Sequence, residues 1–268
     1  MAQGKTRGFL ANTSPRLVEG FASGSSWEYI YQTSTVKDPR FNIGDFVDVP
    51  GRGRFVYAKS SAACTTNVGC EFTDTGYISY TAFATSHAVG VSEITIPAAT
   101  HAALTKDELR GGLVVIFDGA ATSYVQIRQI VGNDAAAADT AFNVRLDGQL
   151  TDAIASGTEA VEVYKNPYSA LRAATLNSYP KAGVPATYVS AANKYFWVQI
   201  AGFTWVSPQS GVGDAQGQKG VFWRHDGSLD KADTALATTV PAGSSSQYAG
   251  YVVSGSQSGN GPLINLQG

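Results

Sequence analysis

The strongest candidate for acid–base chemistry or metal binding in this chain is His225-Asp226-Gly227-Ser228-Leu229-Asp230, where an imidazole lies beside carboxylates. Adjacent residues on a strand point to opposite faces, so His225 and Asp226 share a site only across a bend. Asp-Gly marks tight turns, and a hairpin turn at Asp226-Gly227 is the simpler expectation. Asp45 and Asp48 flank a strand start on opposite faces and make no carboxylate pair. Cys64 and Cys70 could close a small loop if oxidised, but two cysteines are no disulfide framework, and two reduced thiols are expected. His87, His101 and His225 form no ligand set with them, so no zinc site is expected. Gly211-Val-Gly213-Asp-Ala-Gln-Gly217 has its third glycine one residue too late for a dinucleotide loop and no helix after it. There is no G-x-S-x-G elbow, H-E-x-x-H pair or phosphate-binding loop. Phe196, Trp197, Phe203, Trp205, Phe222 and Trp223 could be assembled into a sugar-stacking platform. Aromatics of β-rich modules mostly fill cores, and core is the expectation for these six.

The elements that would position such groups are strands. Phe46-Val-Asp-Val49, Pro50-Gly-Arg-Gly53 and Arg54-Phe-Val-Tyr57 read as strand, Gly-rich turn and strand. Further short β-like runs cover 77–83, 91–96, 113–117, 124–131, 141–146, 159–164, 195–200, 203–206, 220–224, 248–253 and 263–266, with a turn at Gly202. Phe142, Val144 and Leu146 alternate with polar residues, which buries one face and wets the other. Leu113-Val-Val-Ile-Phe117 lacks alternation and suits a strand covered on both faces. Thr105-Lys-Asp-Glu108 has capping-box form and seeds a turn or two of helix before Gly111-Gly112. Residues 168–174, after Asn166-Pro167, read as a second short helix. The Gly/Ser/Gln stretches 208–219, 242–247 and 254–262 read as surface loops.

Residues 1–43 have no sustained periodicity and read as an extended N-terminal arm that orders against its own body or a partner. Residues 44–178 read as a β-rich body domain and 179–268 as a C-terminal β-rich module, divided at Tyr179-Pro-Lys-Ala-Gly-Val-Pro185. Strands at short intervals without long helices predict a mainly β fold: antiparallel β-sandwich or barrel modules with one or two short helices and the extended arm.

Composition narrows the function. A chain of 268 residues buries roughly 70–75% of its unfolded surface, enough to fold without disulfides or metal. Charged residues are 15%, against about 25% in an average domain, which argues against charge-driven disorder. The 19 Lys+Arg and 21 Asp+Glu give a net charge of −2, no field for a phosphate backbone, so no nucleic-acid partner is expected. The opening residues are polar, and no secretory signal is expected. No apolar run approaches the ~20 residues of a membrane helix, so no membrane partner is expected.

Five strings add a resemblance: Glu108-Leu-Arg-Gly-Gly-Leu-Val-Val115, Arg128-Gln-Ile-Val-Gly-Asn133, Arg145-Leu-Asp-Gly-Gln-Leu150, Val161-Glu-Val-Tyr-Lys-Asn-Pro-Tyr168 and Tyr195-Phe-Trp-Val-Gln-Ile-Ala-Gly202. In this order they resemble the cement or decoration proteins of tailed-bacteriophage capsids, over about Gly44 to Val206. The resemblance implies a structural virion protein that binds the outer capsid surface where major capsid subunits meet and stabilises the expanded shell. Its partners would be the major capsid protein and copies of itself, as a homotrimer. It implies no catalytic residue and no cofactor, and a location on the virion after synthesis in the host bacterial cytoplasm. A clamp of this kind needs reach, and 43 extended residues span up to roughly 140 Å. Lys5, Arg7, Phe9 and Leu10, which mix charge steering with apolar anchors, are the expected capsid contact. The alternative is a tail or fibre receptor-binding protein recognising host surface glycan, though neither repeats nor heptads support it. A hydrolase with an unfamiliar site is a third class without a positive sign.

Overall fold

Runs of Val, Ile, Phe and Tyr between glycines form strands because branched and aromatic side chains pack well on a pleated surface. In the computed structural model, described over residues 27–73, 76–117, 125–174, 179–208, 212, 220–231, 247–254 and 262–268, sixteen strands do so. They begin with β1 (Phe46–Val49), β2 (Gly53–Lys59), β3 (Cys70–Glu71), β4 (Gly76–Ala82), β5 (Glu93–Ile96) and β6 (Leu113–Phe117). Next come β7 (Val125–Asn133), β8 (Phe142–Leu146), β9 (Ala160–Tyr164), β10 (Arg172–Ala173) and β11 (Lys181–Pro185). The last are β12 (Tyr195–Trp205), β13 (Gly220–Trp223), β14 (Leu229–Lys231), β15 (Gln247–Ser254) and β16 (Leu263–Leu266). The mainly β class holds, with curled antiparallel sheets and, among the described residues, two short 3-10 turns at Trp27–Tyr31 and Pro167–Ser169.

The chain forms two compact units: residues 74–169, and residues 1–73 together with 170–268. The inserted unit carries one sheet in the order β4-β9-β6-β7-β8-β5. Its core takes Val114 and Ile116 from β6, Val161 and Val163 from β9, and Phe142, Val144 and Leu146 from β8, the last three as their alternation requires. The expected helix after Thr105 is a turn: the Thr105 amide and hydroxyl both donate to Glu108 Oε2 at 3.0 Å, but no helix grows from them. Asn133, fully buried, holds this turn by accepting from the Leu109 amide and donating to the Thr105 carbonyl.

The outer unit holds the second sheet, with the path β10-β3-β11-β12-β16-β15-β13-β14 and the hairpin β1–β2 on the free edge of β12. The segment expected as a second helix is instead the turn Pro167–Ser169 followed by β10, whose Arg172 and Ala173 pair with Glu71 and Cys70. The expected boundary at 179 falls within this sheet, since β11 is buried throughout and pairs with both β3 and β12. Its Gly183 has φ +145, and a Cβ there would lie 2.3 Å from the Gln199 carbonyl oxygen. The turn expected at Gly202 is absent: β12 runs on to Trp205 through a bulge. Gly202 and Gly53 approach so closely that a Cβ on Gly202 would sit 2.5 Å from the Gly53 Cα. Of the residues expected as an arm, 27–43 lie on this unit: Ile30 and Phe41 are buried with Phe55, Tyr57 and Trp197. Lys5, Arg7, Phe9 and Leu10 lie outside the described residues.

Candidate interaction surface

His225 and Asp226 occupy the connection from β13 to β14, where Trp223 pairs with Leu229, the Arg224 amide donates to Ser228 O and the Gly227 amide to Arg224 O. The expected hairpin turn is what the fold builds. Burial raises the Asp226 carboxyl, but hydrogen bonds from the Ser228 hydroxyl and amide and the nearby Arg224 outweigh it and leave it below the ordinary range. Asp226 is thus a turn-fastening carboxylate. Asp45 accepts from the Asn42 amide and Asp48 pairs with Arg54, so these two carboxylates have separate structural partners. Cys64 and Cys70 are free and buried. Among the described residues no group of three or more His, Cys, Asp or Glu side chains is placed to hold a metal, and no helix is long and apolar enough to cross a membrane. Only Val212 of the glycine-rich run 211–217 is described.

The six aromatics divide. Phe196, Trp197 and Trp223 are core. Phe203 and Trp205 stand on the outward face of β12, where they pair with Asn265 and Leu263 of β16. Tyr251 of β15 lies beside Asn265, which donates to its hydroxyl at 2.7 Å. The core expectation therefore holds for the first three and fails for Phe203 and Trp205, while Phe222 is half-buried with its ring against Tyr248.

A larger apolar face lies on the inserted unit. Strand β6 alternates: Val114 and Ile116 are buried, while Leu113 is exposed and Val115 and Phe117 are half-buried. The expectation of cover on both faces is therefore corrected, since the fold covers only one. Opposite them on β7, Val115 pairs with Ile127 and Phe117 with Val125. Ile127 is 56% and Val125 44% exposed. The Tyr80 ring lies 5.4 Å from that of Phe117 and extends the row. Its margin is polar: Glu162 pairs with Val115 from the other side and hydrogen-bonds Tyr164, and Gln129 pairs with Leu113. Leu113, Val115, Phe117, Val125 and Ile127 thus make a contiguous two-strand apolar surface with charge at its rim, the composition of a recognition patch. Sequence reasoning recorded the apolar run and missed that its second cover is not supplied by the unit itself.

Four of the five strings behind the capsid resemblance form this unit's turns and strands, and the fifth is the buried part of β12. The chain matches no known protein family, no curated protein and no solved structure.

Proposed function

We propose that the protein is a structural virion component that binds the outer surface of a tailed-phage capsid and braces the expanded shell where major capsid subunits meet. One observation carries this reading: the outward apolar row of β6 and β7, Leu113, Val115 and Phe117 beside Val125 and Ile127, which the unit does not bury. An adhesive sheet face of this kind suits a protein that acts by contact, and the turns and strands beneath it contain the strings that resemble decoration proteins. In this reading the protein is a homotrimer, performs no chemistry, and uses Lys5, Arg7, Phe9 and Leu10 as an additional contact to the shell. Co-sedimentation with expanded shells of the phage that encodes it tests the proposal. Val115→Asp and Ile127→Asp place charge on the outward face without touching the core, so the variants should fold and lose the shell. Full binding by both folded variants would overturn the role of this face, and no binding by the unaltered protein would overturn the function.

The exposed Phe203, Trp205 and Tyr251 beside Asn265 favour the second reading, a receptor-binding protein for host glycan, because aromatic faces stack on sugar rings. Binding to a glycan array that is lost in Phe203→Ala would favour it.

A further inference from the structure

Strands β12, β16, β15 and β13 lie side by side in the outer unit. Their registers set four residues in one cross-strand row: Phe203 opposite Asn265, Asn265 opposite Tyr251 and Tyr251 opposite Gly220. Paired residues point to the same face, and this one is outward, since Phe203 is 44% and Tyr251 38% exposed while the adjacent Ile264 and Val252 are buried. At the middle of the row the Asn265 side-chain amide donates to the Tyr251 hydroxyl at 2.7 Å. That bond uses the hydroxyl as acceptor and leaves its hydrogen, together with the Asn265 Oδ1, free for a ligand. Turning the amide over exchanges the two roles and again leaves one donor beside one acceptor. The pair has an aromatic ring on either side. Phe203 flanks Asn265, and beyond Tyr251 the Tyr248 ring lies over Gly220, 3.7 Å from where a Cβ would stand, with the Phe222 ring against it. Residues 202–205, 247–254 and 263–266, which form this part of the face, include no Asp, Glu, Lys or Arg.

We propose that this face is a binding site for a neutral oligosaccharide that presents a vicinal diol. One hydroxyl of the diol donates to Asn265 Oδ1 and its neighbour accepts from the Tyr251 hydroxyl, while the C–H face of the sugar ring stacks on Phe203. A purely apolar partner would strand both polar groups, and an anionic saccharide would meet no cation on these strands. Because Asn265 and Tyr251 already hold each other, little side-chain freedom is lost on binding. The row crosses four strands, about 14 Å at the usual strand spacing, which suits a chain of rings better than a single one. This inference rests on the glycan reading and is independent of the shell reading, whose apolar face belongs to the other unit.

The full-length protein on an array of neutral gluco-, galacto- and manno-configured oligosaccharides, printed beside sialylated and sulfated ones, tests it. Neutral members should bind, and sialic acid or sulfate should bring no gain. For a bound neutral member, replacing either hydroxyl of one vicinal pair by hydrogen should weaken binding roughly tenfold, because its partner on the protein is left unpaired. Tyr251→Phe, which removes one hydroxyl and keeps the ring, should weaken it about as much, and Phe203→Ala should abolish it. Equal binding by the unaltered protein and both variants would put the sugar on another surface and overturn the inference while the glycan reading stands. Binding of sialylated or sulfated members alone would overturn the neutral class, and an array left wholly unbound would end both the inference and the glycan reading. Self-association in light scattering that Phe203→Ala undoes would make the face a contact between copies and overturn it as a sugar site. Should Phe203→Ala fail to fold, Tyr251→Phe and the deoxygenated sugars decide.

Discussion

Burial separates the two thiols from any nucleophilic or redox role. Desolvation pushes the Cys64 thiol up to about 12 and Cys70 well above its ordinary value. Both sulfurs face backbone carbonyls, of Ala62 and Gly183. A thiol reagent at about pH 8 should label neither cysteine in the native protein and both after denaturation; rapid native labelling would show that this part of the outer unit opens freely. His87 carries a pH dependence of its own. Burial lowers its pKa, and the Thr95 amide donates to its Nε2. The unfolded chain therefore takes up this proton first as the pH falls. The stabilisation from neutral His87 is complete above the ordinary value of about 6.5 and is lost below it. Melting of the inserted unit between about pH 7.5 and pH 5.5 should lose a destabilising slope in His87→Gln. An unchanged slope would show that His87 is as solvated in the fold as outside it.

At the scale of elements, a buried charge fastens the shortest strands. Glu71 on β3 is 0% exposed and receives Arg172 of β10 and Lys181 of β11, each at 2.9 Å, with Lys181 3% exposed. Two-residue strands such as β3 and β10 have few ladder bonds, so this carboxylate does much of the joining. Lys181→Met removes one cation from a carboxylate that cannot reach water and should cost about 3–5 kcal/mol in denaturant unfolding. Adding Glu71→Met should recover most of that loss, because replacing both buried partners by apolar groups is far cheaper than orphaning one. A double variant no more stable than the single one would show that Arg172, not Lys181, is the partner that chiefly compensates the Glu71 charge. These strands were also the least legible in the sequence. Phe142-Asn-Val-Arg-Leu146 announces itself by period two, whereas Lys181-Ala-Gly-Val-Pro185 looks like a breaker. Its glycine is there for close approach to Gln199, and its proline stands at the strand end where a missing N–H is tolerated. Gly202 misleads in the same way, since a bulge and a turn both ask for positive φ. The apolar face was half legible: Leu113 to Phe117 shows that both sides of β6 are apolar, but composition reads alike whether the second cover comes from the same chain or another molecule.

The division of the whole molecule was not legible because it rests on pairings distant in sequence, of Cys70 and Glu71 with residues beyond 170. The inserted unit leaves and re-enters the outer unit at neighbouring points: the Thr73 hydroxyl donates to the Ala170 carbonyl at 2.7 Å. Ends this close let an insert be removed without stretching its host. All four tryptophans, at 27, 197, 205 and 223, belong to the outer unit, so their fluorescence reports that unit alone. Excising 74–169 and joining the ends with a short Gly/Ser linker should leave the burial-shifted emission of Trp197 and its cooperative loss in denaturant intact. The isolated segment 74–169, which has its own core of Val114, Ile116, Val144 and Val163, should fold separately with a β-type circular dichroism spectrum. If the row on β6 and β7 is the adhesive surface, the two pieces should part company in function: the isolated unit retains shell binding, weakened by loss of the other contacts, and the excised chain loses that contribution. A host unit that fails to fold would instead make the two halves one cooperative body. Undiminished shell binding by a folded host unit would move the adhesive function off β6 and β7.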